Sequence, residues 1–110
     1  MINETVQKIE ARIARIESLD GKKKSELADL LATLKTEIMD LAETRQDDAE
    51  TITRFTELSA CEAARTPGSP RLKKLSLEGL SASVEGFEAS HPRLVQVVNH
   101  FCTTLANLGV

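Results

Sequence analysis

The sequence predicts an all-α protein, and three observations carry that prediction. Apolar residues recur at steps of four and three in four separate stretches, the a/d spacing of packed helices. The chain has no Trp or Tyr and only three Phe, so Leu, Ile, Val and Ala must build the core. That palette suits helix packing better than a β sandwich. Pro67, Gly68 and Pro70 punctuate the chain between the second and third stretches, where no helix can pass.

The first stretch carries Ile2, Val6, Ile9, Ile13 and Ile16, with Glu4 and Lys8 four apart in the favourable order. It stops at Asp20-Gly21, where Asp20 is placed to cap a second helix. The second stretch carries Leu27, Leu31, Leu34, Ile38 and Leu41, and Leu30 widens it into a face for more than one neighbour. The same register then meets two charged residues, Arg45 and Asp48, before Ile52 and Phe55. Neither Gly nor Pro lies between Lys22 and Pro67, so one long helix from about 22 to 62 is expected. The alternative is a break near "TRQDDAET", where Asp47 and Glu50 resemble a helix start.

Residues 63–75 read as a linker. Its basic residues, Arg65, Arg71, Lys73 and Lys74, are either simply solvated or a docking point for an acidic partner. A third helix follows with Leu77, Leu80, Val84 and Phe87 on one face. Gly79, Ala82, Ser83 and Gly86 beside it read as a surface of low helix propensity, with close helix approach as the alternative.

The fourth helix begins at Pro92, because proline favours the first helical position. Val95, Val97 and Val98 would also suit a strand, but the ends of the segment decide for a helix. Leu105, Gly109 and Val110 fit a Schellman ending. Residues 94–110 contain no charged side chain, and the outward face should hold Gln96, Asn99, His100, Thr103 and Asn107. A solvated helix ordinarily carries charge there. The helix is therefore expected to be covered, either by the rest of the domain or by a second subunit. A homodimer completing a helical bundle would also cover the unpartnered half of a long second helix.

His91 precedes Pro92, which pushes it out of the α region and makes it the N-cap of the fourth helix. Its ring is expected to accept the Leu94 N–H, making Phe87, His91 and Pro92 the corner of an αα-hairpin. The competing role is chemical. His91, His100 and Cys102 are the metal-ligand candidates, with Cys61, Glu85 and Glu88 further off. His91 and His100 are nine residues apart across a helix start and do not make the i, i+4 pair of a helical zinc site. No phosphate loop, nucleophile elbow or paired-carboxylate motif is present, so no catalytic residue and no cofactor is expected.

Net charge is −3 without a basic face, which argues against a nucleic-acid partner. The absence of a secretory signal or a ~20-residue apolar span predicts a cytoplasmic protein with reduced cysteines. Membrane contact through the fourth helix lacks the cationic residues that interfacial helices carry.

The stretch "LEGLSASVEGFEASHPRLVQVVNHFCTTLANLGV" resembles a family of short bacterial proteins known only as a domain of unknown function. The matching positions are Phe87, Glu88, His91, Pro92, Leu105, Ala106, Asn107, Gly109 and Val110. The resemblance is good over the last third and loose over the first 41 residues. The middle, "TRQDDAETITRFTELSACEAARTPGSPRLKK", departs from it and looks like an expansion. It implies a bacterial helical protein and transfers no activity. The expected organisation is a long-helix, coiled-coil-like hairpin over 1–62, a linker over 63–75 and a helical hairpin over 76–110, in one cooperative domain. The expected function is non-enzymatic: an oligomeric interaction or scaffold protein, its partner itself or another protein. A ligand- or metal-binding regulator using the His91 corner is the alternative.

Overall fold

The computed structural model describes residues 2–17 and 19–108. Among these it holds five α-helices and no strand: α1 (Ile2–Ala14), α2 (Gly21–Ala42), α3 (Gln46–Ala64), α4 (Pro70–Ser83) and α5 (Pro92–Ala106). No helix among the described residues is long and apolar enough to cross a membrane. The all-α prediction holds, with one helix more than the apolar pattern suggested.

The seams of α1 and α2 bury as their spacing requires. Val6, Ile9 and Ile13 pack inside, and Ile16 and Leu19 stay buried although α1 has ended. Leu27, Leu31, Leu34, Ile38 and Leu41 are all essentially inaccessible. Asp20 caps α2, accepting the Lys23 N–H at 2.8 Å. Lys24 Nζ reaches back to the Ala14 carbonyl at 3.0 Å, closing the α1–α2 connection.

The continuous second helix does not exist. The chain leaves α2 after Ala42 and starts α3 at Gln46. Continuing the register would have carried Arg45 and Asp48 onto the buried face, at a desolvation cost no helix propensity offsets. Instead Arg45 takes φ −137°, ψ 66°, and its Nε bonds Asp48 Oδ2 at 3.0 Å in the open. Asp47 and Asp48 then stand in the first turn of α3, where the helix dipole favours them. Burial ended this helix without Gly or Pro, since packing rather than propensity supplies most helical stability.

Helix α3 buries Ile52 and Glu62 among small and hydroxylated residues, Ala49, Thr53, Thr56, Ser59 and Ala60. The hydroxyls are satisfied within the helix. Thr53 Oγ1 donates to the Ala49 carbonyl and Thr56 Oγ1 to the Ile52 carbonyl, each at 2.8 Å. Ser59 Oγ lies 2.8 Å from the Phe55 carbonyl and 3.2 Å from that of Ser76 on α4. Short side chains let α3 stand between α1, α2 and α4 at once.

Helix α4 starts inside the expected linker. Ser69 accepts the Leu72 N–H at 3.2 Å and Pro70 takes the first helical position, so the non-helical stretch is 65–69. Gly79 is a point of close approach rather than a weak surface. A Cβ there would lie 2.7 Å from Phe55 Cδ1, inside the ring's contact radius. The helix ends at Ser83, and Gly86 turns the chain with φ +94°. Phe87 therefore sits in the corner rather than on the helix, yet remains buried.

Helix α5 opens with Pro92 and buries Leu94, Val97, Val98, Phe101, Thr104 and Leu105. Asn107 donates its backbone N–H to the Thr103 carbonyl at 3.1 Å. The Schellman ending proposed on Leu105, Gly109 and Val110 cannot be followed, because Gly109 and Val110 lie outside the described residues.

Cross-helix contacts give the topology. His91, Arg93 and His100 approach Asp40, Glu37 and Glu26 in that order, so α5 runs antiparallel to α2. Cys102 meets Leu77, and Lys73 meets Leu108, so α4 and α5 are antiparallel too. Apolar residues of all five helices share one core. The α2–α3 turn and the α4–α5 corner fall at one end of the bundle. The α1–α2 connection, the 65–69 stretch and the close of α5 fall at the other. The break after Ala42 provides in one chain the third helix that a second copy was expected to supply.

Candidate functional sites

At the first end, Phe87 is the centre. The Arg45 guanidinium lies over its ring, 5.5 Å from the centroid, and the His91 ring meets it edge-on at 6.0 Å and 87°. His91 occupies the N-cap position of α5, as its place before Pro92 dictates, but makes no side-chain cap bond. The expected acceptance of the Leu94 N–H is not made. Its Nδ1 lies 3.0 Å from Ser90 Oγ, and its Nε2 faces Asp40 Oδ2 at 3.9 Å. With φ −137° and ψ 63°, the backbone matches that of Arg45, the other uncapped helix start at this end. Phe87, His91 and Pro92 lie together at this turn, with the His91 ring packed on Phe87.

The metal candidates do not converge. His100 is exposed and faces Glu26 Oε1 at 3.6 Å. Cys102 is half-buried on another side of α5, its Sγ 3.8 Å from the Leu77 carbonyl. Burial pushes its thiol up to about 11, away from the thiolate a metal or a nucleophilic role needs. Glu88 accepts the Gly86 N–H at 2.9 Å, and Glu85 is exposed. Among the described residues no group of three or more His, Cys, Asp and Glu is placed to hold a metal ion.

The rest of the domain does not cover the outward face of α5. Gln96, Asn99, His100, Thr103 and Asn107 are all exposed. Arg93, the charged residue nearest to it on the same helix, is drawn toward Glu37 at 3.9 Å.

At the second end lies a cleft of about 1120 Å³ that the sequence did not reveal. Ile16, Ala63, Leu77, Cys102, Ala106 and Leu108 form its apolar surface. Arg15, Lys73 and Lys74 stand around it with Glu17 and Glu78, and the buried Glu62 has Arg65 3.4 Å from its Oε1, an oxygen without a hydrogen bond among the described residues. Lys73 is half-buried and donates to the Leu108 carbonyl through Nζ at 2.6 Å. Desolvation lowers its pKa from the ordinary lysine value. Local sequence marked Arg65, Lys73 and Lys74 as a basic run. It could not show that Arg15 and the close of α5 join them, because that depends on how the helices return.

Fold and site together define a small all-α bundle protein with a pinned end, a clefted end and a neutral outer face. The chain belongs to the family described as domain of unknown function DUF4404, whose model matches residues 2–110. That span takes in the middle segment the sequence had set apart as an expansion. No curated protein and no solved structure matches the chain.

Proposed function

We propose that the protein is a non-enzymatic helical interaction module that pairs with a second copy of itself through the outer face of α5. One observation carries this reading: from Gln96 to Asn107 the exposed surface of α5 holds no Asp, Glu, Lys or Arg, whereas the exposed faces of the other four helices do. The centres of protein interfaces are depleted in charge, and neutral amides and hydroxyls can pair across them. Light scattering at micromolar concentration should give a mass near twice 12.0 kDa. Asn99→Lys combined with Thr103→Lys should return it to the monomer mass without loss of helicity. A wild-type monomer across the whole range overturns the reading. So does a dimer broken by Leu75→Lys instead, since Leu72 and Leu75 are large apolar side chains exposed on α4.

A further inference from the structure

The cleft is built like a ligand site and lies beside the face just proposed for pairing, with Thr103 bordering both. Its volume lies just above the range of small-ligand pockets, about 300–1,000 Å³. Its surface divides into two chemistries. Ile16, Leu77, Ala106 and Leu108 offer an apolar track, and Arg15, Lys73 and Lys74 offer positive charge beside it. None of these three cations has a carboxylate within 4.0 Å among the described residues.

We propose that this cleft binds an amphipathic organic anion, a carboxylate on an aliphatic chain. Its head lies between Lys73, Lys74 and Arg15, and its chain lies along Leu77 and Ala106.

Lys73 decides the sign of the ligand. It is the half-buried cation of the three, and it spends one of its N–H donors on the Leu108 carbonyl. Its remaining donors have no carboxylate within 4.0 Å among the described residues. The N-terminus of α4 opens on the same cleft through Ser69 and Pro70 and adds partial positive charge. Glu62, the buried carboxylate of the lining, has the Arg65 guanidinium 3.4 Å from Oε1 but makes no hydrogen bond through that oxygen among the described residues, and Glu17 and Glu78 are exposed to solvent, which screens them. The lining as a whole holds four cations, Arg15, Arg65, Lys73 and Lys74, against three carboxylates, Glu17, Glu62 and Glu78, and this balance favours an anion. The aliphatic part follows from the apolar track of Ile16, Leu77, Ala106 and Leu108, beside which burial keeps the Cys102 thiol protonated.

Decanoate, held below its micellar concentration, is the probe. Calorimetry on the Cys61→Ser protein should show saturable one-to-one binding, with a dissociation constant of about 10–100 μM. Decyltrimethylammonium and acetate should each bind at least about tenfold more weakly, because each lacks one of the two recognised parts. Lys73→Met keeps the aliphatic stem and removes the charge, and should weaken decanoate about tenfold. Ala106→Trp narrows the cleft from the other side and should weaken it similarly, with helicity by circular dichroism unchanged in both. In the Cys61→Ser background, bound decanoate should also slow iodoacetamide alkylation of Cys102, which needs no cleft variant to fold. The proposal is overturned by non-saturable uptake of decanoate, by equal binding of decyltrimethylammonium, or by an affinity unchanged in both variants. A saturable site that leaves Cys102 alkylation untouched lies elsewhere and overturns it as well.

Discussion

The two ends of the bundle close in opposite ways. At one end, two helix starts without side-chain caps, Arg45 and His91, turn their side chains onto a single buried ring, Phe87. At the other, Asp20 and Ser69 cap their helices by the usual rule, yet the chain between the helices leaves a cleft. Good local caps do not fill space between helices. A shared aromatic does, and it couples two connections that are about 40 residues apart in sequence. The pinned end should therefore govern stability, and the clefted end should tolerate change.

The largest effect should come from Phe87→Ala, which removes the ring that both turns use. A loss of about 3 kcal/mol is expected in chemical denaturation, in the range for burying an aromatic. A loss below about 1 kcal/mol would mean the two turns hold themselves. Arg45→Ala should cost less, about 0.5–1 kcal/mol, because its contact with the ring is partly solvated. Combining it with Phe87→Ala should add almost nothing if the ring is what Arg45 acts on. His91→Leu comes next, with a loss under about 0.5 kcal/mol, since no cap bond is there to lose. A drop of 1–2 kcal/mol, the cost of a lost cap, would restore the capping role that the sequence suggested.

Lys73→Met, at the clefted end, should be the smallest, within about 0.5 kcal/mol of wild type at neutral pH. If it proves as costly as Phe87→Ala, the contrast between the ends fails. Cys102 sharpens the contrast through pH. Its folded-state thiol is raised to about 11 from a reference of 9.0. The folded state thus favours the protonated form, and the stability that goes with it is present below pH 9 and lost as pH rises from 9 toward 11. In a Cys61→Ser background, alkylation of the native protein should stay slow until pH approaches 11.

Much of this fold was legible from spacing alone. The seams Ile2 to Ile16 and Leu27 to Leu41 bury as read, and Pro92 placed the start of α5. The break after Ala42 was not legible in the same way. Propensity favoured continuity, and the deciding term was the burial of Arg45 and Asp48, which depends on what packs against them. The corner shows the same division. Pro92 put His91 at a helix start, but nothing near it in sequence announced Arg45 or Asp40, which arrive from the α2–α3 turn. The cleft was least legible, because its cations come from α4 and from the end of α1, and its apolar track in part from α5. Each helix shows its own face in sequence, and the space between helices belongs to none of them.

The contact between Gly79 and Phe55 has a consequence for relatives of this chain. The ring occupies the volume a β-carbon at 79 would need, so the two positions divide one fixed space between α3 and α4. They should change together as sequences diverge. A family member with Ala or Ser at the position of Gly79 should carry a smaller or unbranched residue in place of Phe55, and one that keeps the aromatic should keep the glycine. Pairing the two columns across the family would show whether this division is a shared inheritance or a private arrangement of this chain.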